Sequence, residues 1–211
     1  MGRRPDPWAW SDWASAGPDG TFGNRWDDPK GTFRVLYVSS ERIGAFLEVL
    51  ARFRPDPAEA RSQEDIEGSL EGWGPGRLPA SWLERRMIGE ATIDRGRFAD
   101  LGHSTSLAHL RNVLAAQLVH YHLFDLDAAA IRMSLPRLLT QEISRLVFES
   151  AIEDGDEFAG IHYLSRLGDN IHNWAIFEAG PALLAEVDAV PLHYNDPDLQ
   201  TALELLRIEL V

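Results

Sequence analysis

The sequence predicts an α+β protein with a single domain. Strand-like runs occur near both ends of the chain, helical periodicity fills much of the region between them, and the two do not alternate regularly. The chain has 211 residues, which is enough for one substantial core. It has no cysteine, so disulfides, thiol nucleophiles and thiolate metal sites are excluded.

A strand, a short turn and a helix are predicted in succession between residues 33 and 53. The run from Phe33 to Val38 is mostly apolar and β-branched, which is typical of a largely buried strand. Ser39 and Ser40 offer N-cap oxygens for the helix that follows. The core-facing side of this helix is marked by apolar residues at helical spacing: Ile43, Phe46, Leu47, Leu50 and Phe53.

The rest of the chain gives further elements. Residues 87–101 contain short apolar pieces compatible with strands, and GIHYLS from Gly160 and WAIFE from Trp174 are predicted strands. One amphipathic helix is predicted from Leu107 to Tyr121 and another from Thr140 to Ala151. A final helix follows, with Asp196 or Asp198 as its N-cap.

Composition divides the chain into three segments. Residues 1–20 are predicted to be an irregular arm that carries Trp8, Trp10 and Trp13, residues 21–180 the main domain, and residues 181–211 an extension with a helix. Within the main domain, residues 54–79 form a long polar excursion rich in Pro and Gly. Loops of that length are usually functional or mobile, and a lid and a partner surface are both left open for it.

The charge pattern excludes some partners. A net charge of −13 without a basic cluster argues against nucleic-acid binding. No apolar run approaches the roughly 20 residues of a membrane span, and the N-terminus has no apolar segment of the secretory type. We therefore expect a cytoplasmic protein without membrane contact. Because Lys30 is the only lysine, phosphate recognition must depend on arginine.

The histidines do not predict a metal site. His120 and His122 are two residues apart on a predicted helix and point in nearly opposite directions. His162 and His172 flank a turn and could meet across two strands, but no carboxylate nearby completes a known ligand set. We predict no metal.

Three polar or aromatic side chains stand out near the first strand and helix. Glu48 lies about 140° from Ile43 on the helical wheel, outside the apolar stripe. Taken singly, Glu48 is typical of a solvated helix face, Tyr37 of a packed aromatic and Arg25 of a surface loop. None of the three decides a function by itself.

Two sequence blocks change this interpretation. The stretch GNRWDDPKGTFRVLYVSSERIGAFLE contains a Gly-x-Arg-aromatic turn, a Leu-Tyr strand and a helix that bears Glu. Far downstream, GIHYLSRLGDNIHNWAIFE contains a Gly-Ile-x-Tyr-x-Ser-Arg segment and a closing apolar strand. Both blocks, in this order, resemble the RES-domain family, which is named for an arginine, a glutamate and a serine. The resemblance covers about residues 20–180 and departs at Trp26, where phenylalanine is commoner.

The resemblance implies an ADP-ribosyltransferase-like fold, with a central, mostly antiparallel or mixed sheet flanked by helices, and a cleft for NAD. By position the catalytic residues are Glu48, Arg25 and Tyr37, and the NAD-binding residues are Arg25, Tyr37, Ser165 and Arg166. Glu48 would stabilise the cationic sugar, Arg25 would bind the pyrophosphate, and Tyr37 would stack on the nicotinamide. Ser165 would bond the nicotinamide-ribose end, beside Arg166. NAD is the substrate in this scheme, and no cofactor is implied.

The implied activity is cleavage of the bond between nicotinamide and ribose, by an NAD glycohydrolase or phosphorylase that acts as the toxin of a toxin–antitoxin pair. A protein ADP-ribosyltransferase with a protein target stays open, because the sequence does not identify the group that attacks the sugar. A non-catalytic interaction module that keeps the fold is the rival from another class. A cognate antitoxin is an expected partner, and a homodimer is left open.

Overall fold

A computed structural model of the chain describes residues 1–55, 75–133, 136–150, 158–178 and 183–211. Residues 56–74, most of the predicted 54–79 loop, therefore lie outside the described residues, and so does the choice between lid and partner surface. The chain divides into two compact units that are interleaved along the sequence. The first comprises Met1–Ala9, Ser39–Thr92 and Ala185–Val211, and the second comprises Trp10–Val38 and Ile93–Leu184.

The strands and helices confirm the α+β class. The strands are β1 Gly2–Arg3, β2 Val35–Ser39, β3 Arg77–Leu78, β4 Arg86–Arg95, β5 Arg97–Asp100, β6 Phe158–Leu164, β7 His172–Phe177, β8 Leu183–Pro191 and β9 Glu209–Leu210. The helices are α1 Arg42–Leu50, α2 Ala80–Glu84, α3 Ser104–Val113, α4 Ala115–His120, α5 Ala128–Met133, α6 Arg137–Ser150 and α7 Pro197–Leu206. None of these helices has the length and apolarity that a bilayer span requires.

Three sheets contain the strands. One has four strands in the order β2-β7-β6-β5, in which β6 is antiparallel to β7 and parallel to β5, so the sheet is mixed. A three-stranded sheet has the order β1-β4-β8, and β3 pairs with β9 in parallel. The predicted strands in residues 87–101 and the two predicted strands after Gly160 are thus confirmed.

The core of the second unit lies between its sheet and its helices. One face of β6 and β7 contributes Ile161, Tyr163, Ala175 and Phe177 to the main apolar cluster, which α6 joins through Leu139, Ile143 and Val147. Helix α6 packs against β6. The same helix carries polar groups that contact the chain before β2, and this arrangement positions the candidate site.

The core of the first unit is built around two helices. Helix α1 packs against α7 and buries Gly44, Phe46, Leu47 and Leu50. The predicted apolar stripe is thus confirmed at Phe46, Leu47 and Leu50. Asp196 caps α7, as predicted, by accepting hydrogen bonds from the amides of Asp198 and Leu199 at 3.1 and 3.2 Å. The capped end also binds α1, because Arg42 forms ion pairs with Asp196 and Asp198.

Two local predictions were wrong, and one strand was missed. The helix predicted from Leu107 to Tyr121 is divided at Leu114 into α3 and α4; because its leucines stay buried on both sides of the break, their periodicity could not reveal it. The N-cap of α1 is Glu41, which makes no side-chain capping bond, rather than Ser39 or Ser40. Strand β8 was missed because residues 185–190 are exposed and lack the one-sided apolar pattern of a half-buried strand.

Candidate functional site

Residues 22–28, which we call the Arg25 loop, are bound to helix α6 by buried side chains. Gln141 Nε2 donates to the carbonyl oxygens of Phe22 and Asn24 at 3.3 and 3.1 Å. Ser144 Oγ donates to the carbonyl oxygen of Trp26 at 2.6 Å. Gln141 and Ser144 are three positions apart and therefore share one helix face. These bonds fix the loop backbone on both sides of Arg25.

The end of the Arg25 loop is held by a contact between the Asp28 carboxylate and α6. Asp28 Oδ2 accepts hydrogen bonds from the amide and hydroxyl of Thr32 at 2.6 and 2.7 Å, and from Arg145 Nη1 at 3.1 Å. Burial opposes ionisation, but the Thr32 bonds and the Arg145 charge outweigh it and lower the pKa of Asp28. Asp28 therefore stays ionised and closes the loop.

Tyr37 on β2 is joined to the Arg25 loop by its hydroxyl. The hydroxyl accepts a hydrogen bond from the Trp26 amide at 3.0 Å and donates one to Asp27 Oδ1 at 2.9 Å. Burial, together with the Asp27 carboxylate, raises the pKa of Tyr37 well above its ordinary value, so the phenol is neutral. Its hydroxyl is therefore bonded entirely within the protein, and the ring packs against the apolar core of the second unit.

The Arg25 guanidinium lies against β6. Its central carbon is 5.2 Å from the centre of the Tyr163 ring and 5.9 Å from that of the Trp26 ring, within the range of a cation–π contact. Nη2 donates to the carbonyl oxygen of Arg132, at the end of α5, at 2.9 Å. Nη1 is buried and has no hydrogen-bond partner among the described residues. Arg25 is therefore oriented by the protein but not saturated by it.

Ser165 begins the connection between β6 and β7, residues 165–171, which we call the Ser165 turn. Ser165 is 1% exposed; its amide donates to the Ile171 carbonyl oxygen and its Oγ accepts from the Leu167 amide, both at 2.9 Å. The serine therefore shapes this turn. Its neighbour Arg166 is exposed and, within the described residues, has no ion pair.

The structure brings Arg25 and the Ser165 turn together within the second unit. Tyr163, which contacts the Arg25 guanidinium, precedes Ser165 by two residues on β6. Arg132, whose carbonyl oxygen anchors Arg25, also bonds Asp169 in the Ser165 turn, with Nη1 2.6 Å from Oδ1. Arg25 is thus linked to the chain on both sides of Ser165, although Ser165 itself bonds only within its own turn among the described residues.

Glu48 lies in the first unit, on α1. Its side chain is half-buried and outside the fully buried set of that helix, in agreement with its predicted place off the apolar stripe. The catalytic role given to Glu48, like the NAD-binding roles of Arg25, Tyr37, Ser165 and Arg166, stays a prediction.

Sequence reasoning missed the residues that hold the Arg25 loop in place. In the sequence Asp27 is one residue of a motif that assigns it no role, and Gln141, Ser144 and Arg145 lie on the polar side of a predicted amphipathic helix. A signal was available, since Gln141, Ser144 and Arg145 are spaced i, i+3, i+4 and so form one polar face. The partners of that face could not be identified from spacing.

The two histidines after Gly160 meet as predicted. His162 Nε2 and His172 Nδ1 are 2.9 Å apart across β6 and β7, and the rings are stacked. Asp100 Oδ1 is 3.5 Å from His162 Nδ1. In the part of the chain that the structure describes, no three His, Asp or Glu side chains are grouped so that they could hold a metal ion.

Comparison with known proteins gives one family. A model of the RES domain matches residues 3–197 of the 211-residue chain, which includes both of the blocks discussed above. No curated protein and no solved structure matches the chain.

Proposed function

Because the chain belongs to the RES-domain family, we propose that it consumes NAD by cleaving the bond between nicotinamide and ribose. The observation that best supports this is the state of Arg25. Its guanidinium is fixed through Nη2, and its buried Nη1 has no partner among the described residues. A buried cationic donor without an acceptor is unfavourable, and a pyrophosphate oxygen would satisfy it once the groups that cover Nη1 move aside.

The guanidinium suits the pyrophosphate of NAD better than an ammonium would. Its planar group offers several donors at fixed angles, whereas lysine supplies only a point charge. The cation–π contact with Tyr163 and the bond to the Arg132 carbonyl hold this plane in place before any ligand arrives. Binding therefore requires little further loss of side-chain entropy at Arg25.

Glu48 is proposed to stabilise the transition state. When the glycosidic bond breaks, nicotinamide leaves as a neutral molecule with the bonding electron pair, and the ribose becomes cationic. A fixed carboxylate near the sugar stabilises this charge more than it stabilises the uncharged sugar of the substrate, and so raises kcat. Glu48 would act in this way and would accept a hydrogen bond from a ribose hydroxyl.

The other predicted residues have supporting roles in the proposal. The ring of Tyr37 would stack on the nicotinamide, since its hydroxyl is already bonded within the protein. Ser165 would contact the nicotinamide-ribose end from the turn that it shapes, and the exposed guanidinium of Arg166 would add positive charge there.

The product depends on the group that attacks C1 of the ribose. Water gives ADP-ribose and a proton, phosphate gives ADP-ribose 1-phosphate, and a protein side chain gives ADP-ribosylated protein. All three share the step that releases nicotinamide. Incubation with NAD in buffer without phosphate, with phosphate, and with candidate proteins, followed by mass spectrometry of the products, identifies the acceptor.

The decisive variant is Glu48→Gln, which keeps the size of the side chain and removes its charge. We expect kcat to fall on the order of a hundredfold or more, with a smaller change in KM. Glu41→Gln is the matched control, because Glu41 is the exposed N-cap residue of the same helix and makes no side-chain capping bond. Unchanged turnover in Glu48→Gln would remove this carboxylate from the mechanism.

The rival proposal, a non-catalytic interaction module, makes the opposite prediction for the wild-type chain. Such a module would show neither NAD consumption nor heat of NAD binding in calorimetry. The toxin role is tested separately by expressing the intact chain in a bacterial host and measuring growth and cellular NAD. If growth and cellular NAD both stay unchanged, the chain is not a toxin in that host and does not consume its NAD.

A further inference from the structure

We propose that Asp27 is a positioning residue that holds Arg25 in place for NAD, an inference that rests on the proposed function. Asp27 is 3% exposed, and the family resemblance gave it no role. It lies two residues after Arg25, and its two carboxylate oxygens bond to different parts of the molecule.

One oxygen of Asp27 fixes the residue before Arg25. Oδ2 accepts hydrogen bonds from the backbone amide of Asn24 at 2.7 Å and from Asn24 Nδ2 at 2.8 Å. Two donors from one residue on one oxygen fix both the backbone and the side chain of Asn24. The backbone immediately before Arg25 therefore has little freedom to rotate.

The other oxygen fixes the residue after Arg25, through Tyr37. Oδ1 accepts the hydroxyl proton of Tyr37 at 2.9 Å, and the same hydroxyl accepts the Trp26 amide at 3.0 Å. This relay ties the loop to β2. The amides on both sides of Arg25 are thus bonded to one buried carboxylate, directly for Asn24 and through one hydroxyl for Trp26.

Only a carboxylate satisfies all of these donors. It accepts at both oxygens, whereas the amide of asparagine accepts at one and donates at the other. The asparagine of Asp27→Asn could be oriented in two ways. If its side-chain nitrogen faced Asn24, that nitrogen would meet two other donors. If its side-chain nitrogen faced Tyr37, the Tyr37 hydroxyl proton would lose its acceptor. Because the site is buried, water cannot replace the lost bond without local opening.

The test separates a positioning role from a purely structural one by repeating the substitution without Arg25. KM and kcat for NAD are measured in the wild type, Asp27→Asn, Arg25→Ala and the double variant. Because a displaced Arg25 guanidinium would bind the pyrophosphate less well in the ground state and the transition state alike, Asp27→Asn should raise KM on the order of tenfold with kcat nearly unchanged. In the Arg25→Ala background, Asp27→Asn should cause no further rise in KM.

Tyr37→Phe provides a second, gentler variant, since it removes the hydroxyl and keeps the ring. It should also raise KM, and its effect should not add to that of Asp27→Asn, because both break the same bond.

Hydrogen exchange at the Trp26 amide gives a readout without NAD and should accelerate in both variants. Asp19→Asn is the control, since Asp19 is an exposed carboxylate bonded only to the nearby Thr21 among the described residues.

The outcomes separate this inference from the proposed function. If the wild type neither binds nor consumes NAD, the proposed function fails and this role for Asp27 fails with it. If the wild type is active but Asp27→Asn leaves KM unchanged, only the inference is overturned. A rise of the same size in the Arg25→Ala background also overturns it, because the effect would then not pass through Arg25.

Discussion

The buried hydroxyl of Ser144 donates a 2.6 Å hydrogen bond to the carbonyl oxygen of Trp26, a residue 118 positions earlier in the chain. Ser144 and Trp26 are both 0% exposed, so no water competes for this bond. The bond attaches the residue after Arg25 to helix α6. Together with the bonds of Gln141 and Asp27, it attaches the loop that carries Arg25 to the core of the second unit.

Removal of this hydroxyl should destabilise the protein. Ser144→Ala leaves the buried Trp26 carbonyl without its donor, which should lower the free energy of unfolding by about 1–3 kcal/mol. The change is measured by urea denaturation of the wild type and the variant. Ser150→Ala is the matched control, since this serine is exposed and, among the described residues, bonds a carbonyl of its own helix, so its loss should be nearly neutral. Equal stabilities of Ser144→Ala and the wild type would contradict the importance of the bond.

Arg25→Lys tests whether the guanidinium geometry is used. Lysine keeps the charge but loses the planar arrangement of donors, so KM for NAD should rise on the order of tenfold or more. Steady-state kinetics measures this, and Arg95→Lys, at an exposed position of the same unit, should leave KM unchanged. A lysine variant with wild-type KM would show that charge alone suffices at this position.

The pair between Arg34 and Glu178 should give a measurable dependence of stability on pH. Arg34 Nε is 2.7 Å from Glu178 Oε2, and Nη2 bonds Oε1. Hydrogen bonding to Arg34 lowers the pKa of Glu178. Since the folded-state pKa is depressed, the stabilisation is present above the unfolded pKa of about 4.3 and is lost as pH falls through the folded value.

Glu178→Gln should therefore lower the free energy of unfolding at pH 7 by about 1 kcal/mol, since the pair is only partly buried. The difference from the wild type should shrink as the pH falls below about 4. Denaturation curves at several pH values measure it, and Glu90→Gln, at an exposed position, is the control. If the difference in free energy of unfolding between the wild type and Glu178→Gln grew as the pH fell, the predicted direction of the pH dependence would be contradicted.

Gly160 allows two strands to approach each other closely. Its φ is +157°, and a Cβ atom there would lie 2.0 Å from the carbonyl oxygen of Ala175 on β7. Gly160→Ala should therefore lower the free energy of unfolding by about 3 kcal/mol, seen as a large fall in Tm. Gly102→Ala is the comparison, because its Cβ would meet only ordinary contacts, the nearest 3.4 Å away, and Tm should change little. Similar losses in the two variants would contradict the role of close approach.

Secondary structure was predicted well where residues close together in the sequence determine it. The Asp196 cap of α7, the strand around Tyr37 and the apolar stripe of α1 were all found from neighbouring residues. The break at Leu114 and strand β8 were missed, since a break that preserves periodicity and an exposed strand leave no mark on the apolar pattern. Helix and strand boundaries that depend on packing were beyond local reasoning.

The candidate site was predicted in its conspicuous residues and missed in the residues that hold them in place. Arg25 and Tyr37 were singled out, and the structure joins them through Trp26 and Asp27. It also connects Arg25 to the Ser165 turn through Tyr163 and Arg132. The catalytic and NAD-binding roles themselves stay predictions for experiment.

The sequence by itself determined the α+β class, the family and the residues at which to look for chemistry, because periodicity and motifs are properties of neighbouring positions. Only the tertiary structure decided that the Tyr37 hydroxyl belongs to the fold, that Asp27 fixes both sides of Arg25, and that α6 holds the whole loop. Those facts depend on hydrogen bonds that must be satisfied once groups are buried, and the partners lie up to 119 residues apart. No local pattern specifies which distant partner a buried donor will meet.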